Sequence, residues 1–130
     1  MHEYSLVQDL FDQVAAQASA RGATAVRKVT VGVGELAGVD PDLFATAFET
    51  FRAASRYPEA QLVIRRLGAL WVCSKCTRPI ARGAVLRCVE CDGPGRLETG
   101  DELVLERIEL EVPEPHALRA GIAAGARFGG

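Results

Sequence analysis

Two groups of residues in this 130-residue chain have the types and spacing for metal chemistry. The first is the opening run Met1-His2-Glu3. A free α-amine, the backbone nitrogen of His2 and its imidazole Nδ1 close two fused chelate rings around one ion. Such a nitrogen-rich, flattened ligand set suits Ni(II) or Cu(II), which accept square-planar geometry, better than tetrahedral Zn(II). The same residues also read as an ordinary solvated terminus with a helix behind it, and spacing alone does not choose between the two. The second group is Cys73-Ser-Lys-Cys76 and Cys88-Val-Glu-Cys91, two C-x2-C knuckles eleven residues apart. Each knuckle presents two thiolates from a tight turn, and a hairpin between them brings the pairs into a tetrahedron. Four cysteines with no open position describe a structural Zn(II) site. An iron site of similar shape is the rarer alternative, and a thioredoxin-like redox pair needs a surrounding βαβ pattern that this stretch lacks.

Four thiolates around one divalent ion leave a net negative centre, which Lys75, Arg78, Arg82 and Arg87 are expected to offset. Those basic residues also read as a nucleic-acid surface. Against that, only Trp71 lies nearby, and base stacking usually needs several aromatic faces. A closed zinc site holds a fold but does not activate water. His116, the other histidine, sits near the C-terminus, and no serine or cysteine nucleophile has a histidine base placed by motif. The expectation is a protein that is not an enzyme.

These groups need elements to position them. Leu6, Val7, Leu10, Phe11, Val14, Ala15 and Ala18 recur at helical spacing, with the start at Ser5 or a turn earlier at His2 or Glu3, and Gly22 as the stop. A strand over about 26–33 sets Val29, Val31 and Val33 against Lys28, Thr30 and Gly32. Gly32 and Gly34 bracket its end and permit a bulge or sharp exit. After the loop Gly34–Val39, Asp40-Pro41 reads as an N-cap and first helical residue. The helix behind it carries an apolar stripe of Leu43, Phe44, Ala47, Phe48 and Phe51, and Ser55 and Pro58 end it. Half-buried strands over about 61–67 and 102–112 complete a sheet covered by helices on one face. Between them the cysteine stretch differs in composition and reads as an insert with its own staple. The segment from 113 to 130, Pro/Ala/Gly-rich with few large apolar residues, is expected to be a flexible tail.

Composition bounds the rest. Hydrophobic residues make up 48% and charged ones 25% of the chain, an ordinary globular balance that leaves room for one modest core and a small module. Fifteen Lys and Arg against 17 Asp and Glu give a formal net charge of −2, so no basic field exists for gripping nucleic acid. No apolar run reaches the roughly 18 residues of a membrane span, and His2, Glu3, Asp9 and Asp12 interrupt any export signal. A cytoplasmic location is expected.

With Met1-His2-Glu3, the stretches Gly34-Glu35-Leu36 and Gly38-Val39-Asp40-Pro41, the paired knuckles and the exit Gly100-Asp101-Glu102-Leu103 in this order, the chain resembles the hydrogenase and urease nickel-incorporation metallochaperones, the HypA/HybF family, from Met1 to about Val112. The resemblance implies an α+β fold. A small three-stranded sheet packs with two helices as a nickel-binding domain (1–68 with 101–112), and a zinc-ribbon domain (69–100) is inserted between the second and third strands. It implies Ni(II) as transported cargo on Met1, His2 and Glu3, with Glu3 either a ligand or an orienting residue, and structural Zn(II) on Cys73, Cys76, Cys88 and Cys91. Implied partners are a nickel-handling maturation GTPase and the large-subunit precursor of nickel–iron hydrogenase, with urease accessory proteins for some members. The competing reading is a zinc-ribbon adaptor for protein or nucleic acid, in which the N-terminal histidine is incidental. Thr77 and Asp92 stand after the knuckles, where the family often has glycine.

Overall fold

A computed structural model describes residues 3–81 and 86–113, together with the backbone of 120–127. The N-terminal apolar stripe forms α1 (Glu3–Ala20), which buries Leu6, Val7, Leu10, Phe11, Val14 and Ala18. Gly22, at φ +64°, ends it in the left-handed conformation, and the N–H of Ala23 reaches back to the carbonyl of Ala18 at 2.9 Å, closing the last turn. A second helix, α2 (Pro41–Ala53), starts as its sequence demands. The Asp40 carboxylate accepts from the N–H groups of Asp42 and Leu43 at 2.9 and 3.3 Å, a cap of about 1 kcal/mol, with proline at the first helical position. Its stripe is narrower than expected: Phe44 and Phe48 are buried, whereas Leu43 in the first turn stands 55% exposed.

The helices meet through their aromatic rings and share one sheet face. Phe11 lies 5.0 Å from both Phe48 and Phe51, and Tyr4 lies 5.7 Å from Phe51, within the range of favourable ring pairs. Beneath them run β1 (Ala25–Gly34), β2 (Gln61–Leu67) and β6 (Leu103–Glu111). β1 is central, parallel to β2 through the α2 crossover and antiparallel to β6. Val26, Val29, Val31 and Val33 of β1 join Leu103, Leu105, Ile108 and Leu110 of β6 in one buried core with the helices. The other face is polar and ion-paired, as Lys28–Glu109 at 3.5 Å and Arg65–Glu106 at 2.7 Å illustrate. The β1–β6 ladder is irregular at two places, where Arg27 and Glu106 are the extra residues of bulges. Of the two features that Gly32 and Gly34 permit, the ladder has no bulge there, and the chain instead leaves β1 sharply after Gly34, where the N–H of Ala37 reaches back to the Gly34 carbonyl at 3.0 Å.

A second, three-stranded sheet holds β3 (Leu70–Cys73) between β4 (Pro79–Ile80) and β5 (Gly95–Thr99). Its small core is Cys73, Ile80 and Cys88, with Trp71 and Cys76 packed against it. Trp71 is therefore a packing residue of the cysteine module. Below about 40 residues such a module lacks the apolar area to hold itself without a staple.

The flexible tail expected over 113–130 is corrected in part. Residues Ala120–Arg127 form β7, antiparallel to β6, so the sheet has four strands in the order β2-β1-β6-β7 rather than three. Alanine and glycine carry almost no apolar periodicity, which is why the pattern gave no strand there. Residues 114–119, His116 among them, lie outside the described residues.

Candidate metal centres

The cysteine cluster is built by two copies of one turn. After Cys73, the N–H of Thr77 reaches back to the Cys73 carbonyl at 3.0 Å; after Cys88, the N–H of Asp92 reaches the Cys88 carbonyl at 2.9 Å. Thr77 and Asp92 both adopt positive φ, +62° and +58°, which reverses the chain after each knuckle. Each turn also closes on itself, Cys73 donating its N–H to the Arg78 carbonyl and Cys88 to that of Gly93, while Ser74 ties the two turns together by donating to the Pro94 carbonyl, each at 2.9 Å.

This brings the Sγ atoms of Cys73, Cys76, Cys88 and Cys91 within 4.8 Å of one another. Cys73 and Cys91 are separated by 3.3 Å, Cys76 and Cys88 by 3.6 Å, and Cys76 and Cys91 by 3.7 Å. Four sulfurs at about 2.3 Å from a common centre, arranged tetrahedrally, lie about 3.8 Å apart. The donor set therefore fits a zinc-sized ion, and the separations are far too long for disulfides. Cys73 and Cys88 are buried while Cys91 is exposed, so one corner of the cluster faces solvent.

Backbone amides favour negative charge on the inner sulfurs. The N–H of Cys76, 3.5 Å from Cys73 Sγ, and that of Lys75, at 3.4 Å, hold the Cys73 thiol down at about 6, against the opposing effect of desolvation. The N–H groups of Cys91 and Glu90 lower Cys88 in the same way. Cys91 is pushed up to about 12, first by its hydrogen bond with Cys73, in which Cys91 keeps its proton and donates to the Cys73 sulfur. Amides thus do part of what the basic side chains were expected to do. Arg78 is paired with Glu90 at 3.2 Å and Arg87 with Asp92 at 3.7 Å, so these two cations neutralise carboxylates of the module. Arg82 lies outside the described residues.

Of the N-terminal triplet, Met1 and His2 lie outside the described residues, and Glu3 opens α1. Its carboxylate accepts a hydrogen bond from the Asp40 backbone N–H at 3.3 Å. Asp40 read from sequence as a helix cap; that its own N–H also holds Glu3 had no sequence signal. The loop before Asp40 is fastened in turn to the neck of the cysteine module. Glu35 donates its N–H to the Leu67 carbonyl at 2.9 Å, and its carboxylate accepts from the N–H of Ala69. Leu36 donates to the Gly100 carbonyl at 2.7 Å, and Gly34 to that of Glu102 at 2.8 Å. Both chain crossings into the module are thus held by Gly34-Glu35-Leu36, a stretch conspicuous in the sequence without a stated role.

Two helices on a small sheet, with an inserted module whose four cysteines fit a zinc ribbon, define the class: a small α+β metal-handling protein. The family model for hydrogenase/urease nickel incorporation, the HypA metallochaperones, matches residues 1–110, and the chain belongs to that family. It is 35% identical over 115 residues to the hydrogenase maturation factor HypA of Shewanella halifaxensis, a match covering 85% of this chain and 98% of that one. It is 33% identical to the same factor of Aquifex aeolicus, over 86% of this chain and 99% of the relative. Among solved structures, the Ni metallochaperone HypA from Helicobacter pylori superposes with a TM-score of 0.66 at 31% identity, covering 86% of this chain and 99% of that one. Another HypA solution structure gives 0.72 at 32% identity, covering 85% and 96%. The family is one of nickel metallochaperones for hydrogenase maturation, as the sequence features imply.

Proposed function

We propose that this chain carries Ni(II) on Met1, His2 and Glu3 for the maturation of nickel–iron hydrogenase, and holds a structural Zn(II) on Cys73, Cys76, Cys88 and Cys91. The observation that carries the nickel half is the Glu3–Asp40 hydrogen bond. It fixes the first turn of α1, so the amine and the His2 nitrogens start from an anchored residue and less ordering is left for the ion to impose. The α-amine, the His2 backbone nitrogen and imidazole, with Glu3 as neighbour, make a donor set suited to a square-planar ion. Zinc, when bound, supplies no reaction; its four-sulfur shell leaves no position for water, and it staples a module whose own core is three side chains.

The proposed division of labour follows the chain. Residues 1–68 with 101–112 handle nickel and 69–100 form the zinc ribbon. The proposed partners are a nickel-handling GTPase and the hydrogenase large-subunit precursor, with urease accessory proteins as a second destination, in the cytoplasm. No described helix is long and apolar enough to cross a membrane. The chain acts by binding and release, with no chemical step of its own.

A calorimetric nickel titration of the zinc-loaded protein tests this, with an untagged N-terminus and His2→Ala beside it. Stoichiometric binding, lost in His2→Ala while zinc remains, supports the N-terminal site. Equal binding in both proteins, or none in either, overturns it and leaves the zinc-stapled adaptor as the better reading.

A further inference from the structure

Where α1 passes the end of α2, the helical layer leaves an open cavity of about 140 Å³. Phe11, Asp12 and Ala15 of α1 line it, with Phe51 of α2 and Arg56 and Tyr57 of the turn that follows. Its walls are aromatic. The Phe11 and Phe51 rings stack with centroids 5.0 Å apart, and Tyr57 is buried. Ala15, three residues after Asp12 and so its neighbour on the helix surface, is small enough to leave the space open. The Ser55 hydroxyl, also at the wall, is committed to the turn: it donates to the Arg52 carbonyl at 2.8 Å and accepts from the Tyr57 N–H at 3.0 Å. An apolar cavity of ~150 Å³ is large enough for benzene, so there is room here for one phenyl ring or branched aliphatic group.

Two opposite charges border this apolar space. Asp12 and Arg56 are both exposed, and neither has an ion pair among the described residues, with each other or with a third group. The Arg56 guanidinium lies over the Tyr57 ring, 5.9 Å from its centroid, a cation–π contact that keeps it beside the cavity. That pairing selects the guest. A simple cation would meet Arg56 and a simple carboxylate would meet Asp12. A molecule with an ammonium and a carboxylate on one carbon satisfies both, the carboxylate matching the planar fork of the guanidinium.

We propose that this cavity binds a free α-amino acid with an aromatic or branched aliphatic side chain. The ammonium donates to the Asp12 carboxylate, and the carboxylate accepts from Arg56. The side chain displaces water from between Phe11, Phe51 and Tyr57. No proposed nickel or zinc ligand takes part.

The test is a nuclear magnetic resonance titration of the full chain, zinc-loaded and nickel-free. The probes are L-phenylalanine and L-leucine, beside phenethylamine and 3-phenylpropionate, which each lack one charge. Saturable binding of at least one amino acid is expected at about millimolar or tighter, the scale for roughly ten heavy atoms at an open site. The two analogues should bind about tenfold more weakly or worse than phenylalanine, and Asp12→Asn and Arg56→Gln should each weaken the amino acid about tenfold. Ala15→Phe fills the space and is expected to abolish binding, with zinc content and circular dichroism reporting on the fold. If that variant does not fold, the two surface variants decide. No saturation with either amino acid, analogues that bind as tightly as phenylalanine, indifference to both charge variants, or full binding by a folded Ala15→Phe each overturns the proposal.

Discussion

The carboxylate of Glu3 accepts a hydrogen bond from the Asp40 backbone N–H, 3.3 Å away and 37 residues further along the chain. That bond joins the start of α1 to the cap of α2 at the place where the proposed nickel ligands begin. Removing the acceptor with Glu3→Ala is expected to weaken nickel binding about three- to tenfold, the scale of one exposed hydrogen bond to a charged group at ~1 kcal/mol. Zinc content should stay the same. Glu3→Gln keeps an acceptor and should fall nearer the unmodified protein. Calorimetry on the three proteins decides it, and equal affinities would remove Glu3 from any positioning role.

Gly34 and Gly100 form the tightest backbone approach in the neck. A Cβ on Gly34 would lie 2.3 Å from the Gly100 carbonyl oxygen, an atom that does not move aside as a flexible side chain does. Gly34→Ala is expected to destabilise the chain by about 2–3 kcal/mol or more, since one strand must shift to admit the methyl group. Denaturant midpoints of the zinc-loaded proteins measure this. Gly68→Ala is the control: its Cβ would meet no neighbour closer than 3.9 Å, and little change is expected there.

Most of the main sheet and both helices were legible in the sequence because local chemistry and burial agree there. The Val29-Val31-Val33 alternation marks β1, and Asp40-Pro41 sets the start of α2. The bulge at Glu106 was not legible. It sets Leu103 and Leu105 on the same face as Ile108 and Leu110, although strict alternation from Ile108 assigns them to the opposite face. β7 escaped for the opposite reason: its pairing is backbone hydrogen bonding, to which an Ala/Gly sequence adds no pattern. At the metal centre, cysteine spacing revealed four ligands, while the amides that bond to Cys73 and the fastening of the neck by Glu35 depend on tertiary geometry.

Acid should loosen the polar face of the sheet. Glu106 receives both Nε and Nη2 of Arg65, at 2.7 and 2.8 Å, and this bond is the main cause that holds its carboxyl below the usual glutamate value, against a smaller opposing effect of burial. A carboxyl lowered in the folded state adds stability that is fully present above its unfolded value, near pH 4–4.5 for glutamate, and is lost as pH falls through the folded one. Acid also releases zinc from thiolates, so the informative quantity is the difference between the unmodified protein and Arg65→Gln. That difference should be present near pH 7 and shrink by about pH 3.5. A difference that grows in acid would contradict the assignment.

The cysteine module is sensitive to side chains that come near its sulfurs. A Cβ on Gly93 would stand 2.7 Å from Cys73 Sγ and 3.2 Å from the Lys75 side chain. Lysine can swing away, but the sulfur is held by the amides of Lys75 and Cys76. Gly93→Ala is expected to displace Cys73 from the tetrahedron and lower zinc affinity at least tenfold, equivalent to the ~1.4 kcal/mol low end of an overpacking penalty. Competition with a chromophoric chelator measures it. Unchanged affinity would mean that the cluster tolerates sulfur movement of this size.

Thr77 and Asp92 occupy equivalent turn positions with nearly the same positive φ, yet they should respond differently to glycine. A left-handed conformation costs an ordinary L-residue about 1–2 kcal/mol, most for a β-branched one, while Asp visits it more readily. Glycine removes that strain but adds about 0.5–1 kcal/mol of unfolded-state entropy. For Asp92→Gly the two effects should nearly cancel, leaving stability within a few tenths of a kcal/mol. For Thr77→Gly the strain is larger and a gain of up to about 1 kcal/mol is expected. The bond from Thr77 Oγ1 to the Cys76 carbonyl, 2.6 Å and solvent-exposed, offsets only part of it. Denaturant midpoints of the zinc-loaded variants give the comparison. A loss of stability in Thr77→Gly as large as this expected gain would show that the threonine is held there by its hydroxyl, and that the turn depends on that bond more than on its backbone geometry.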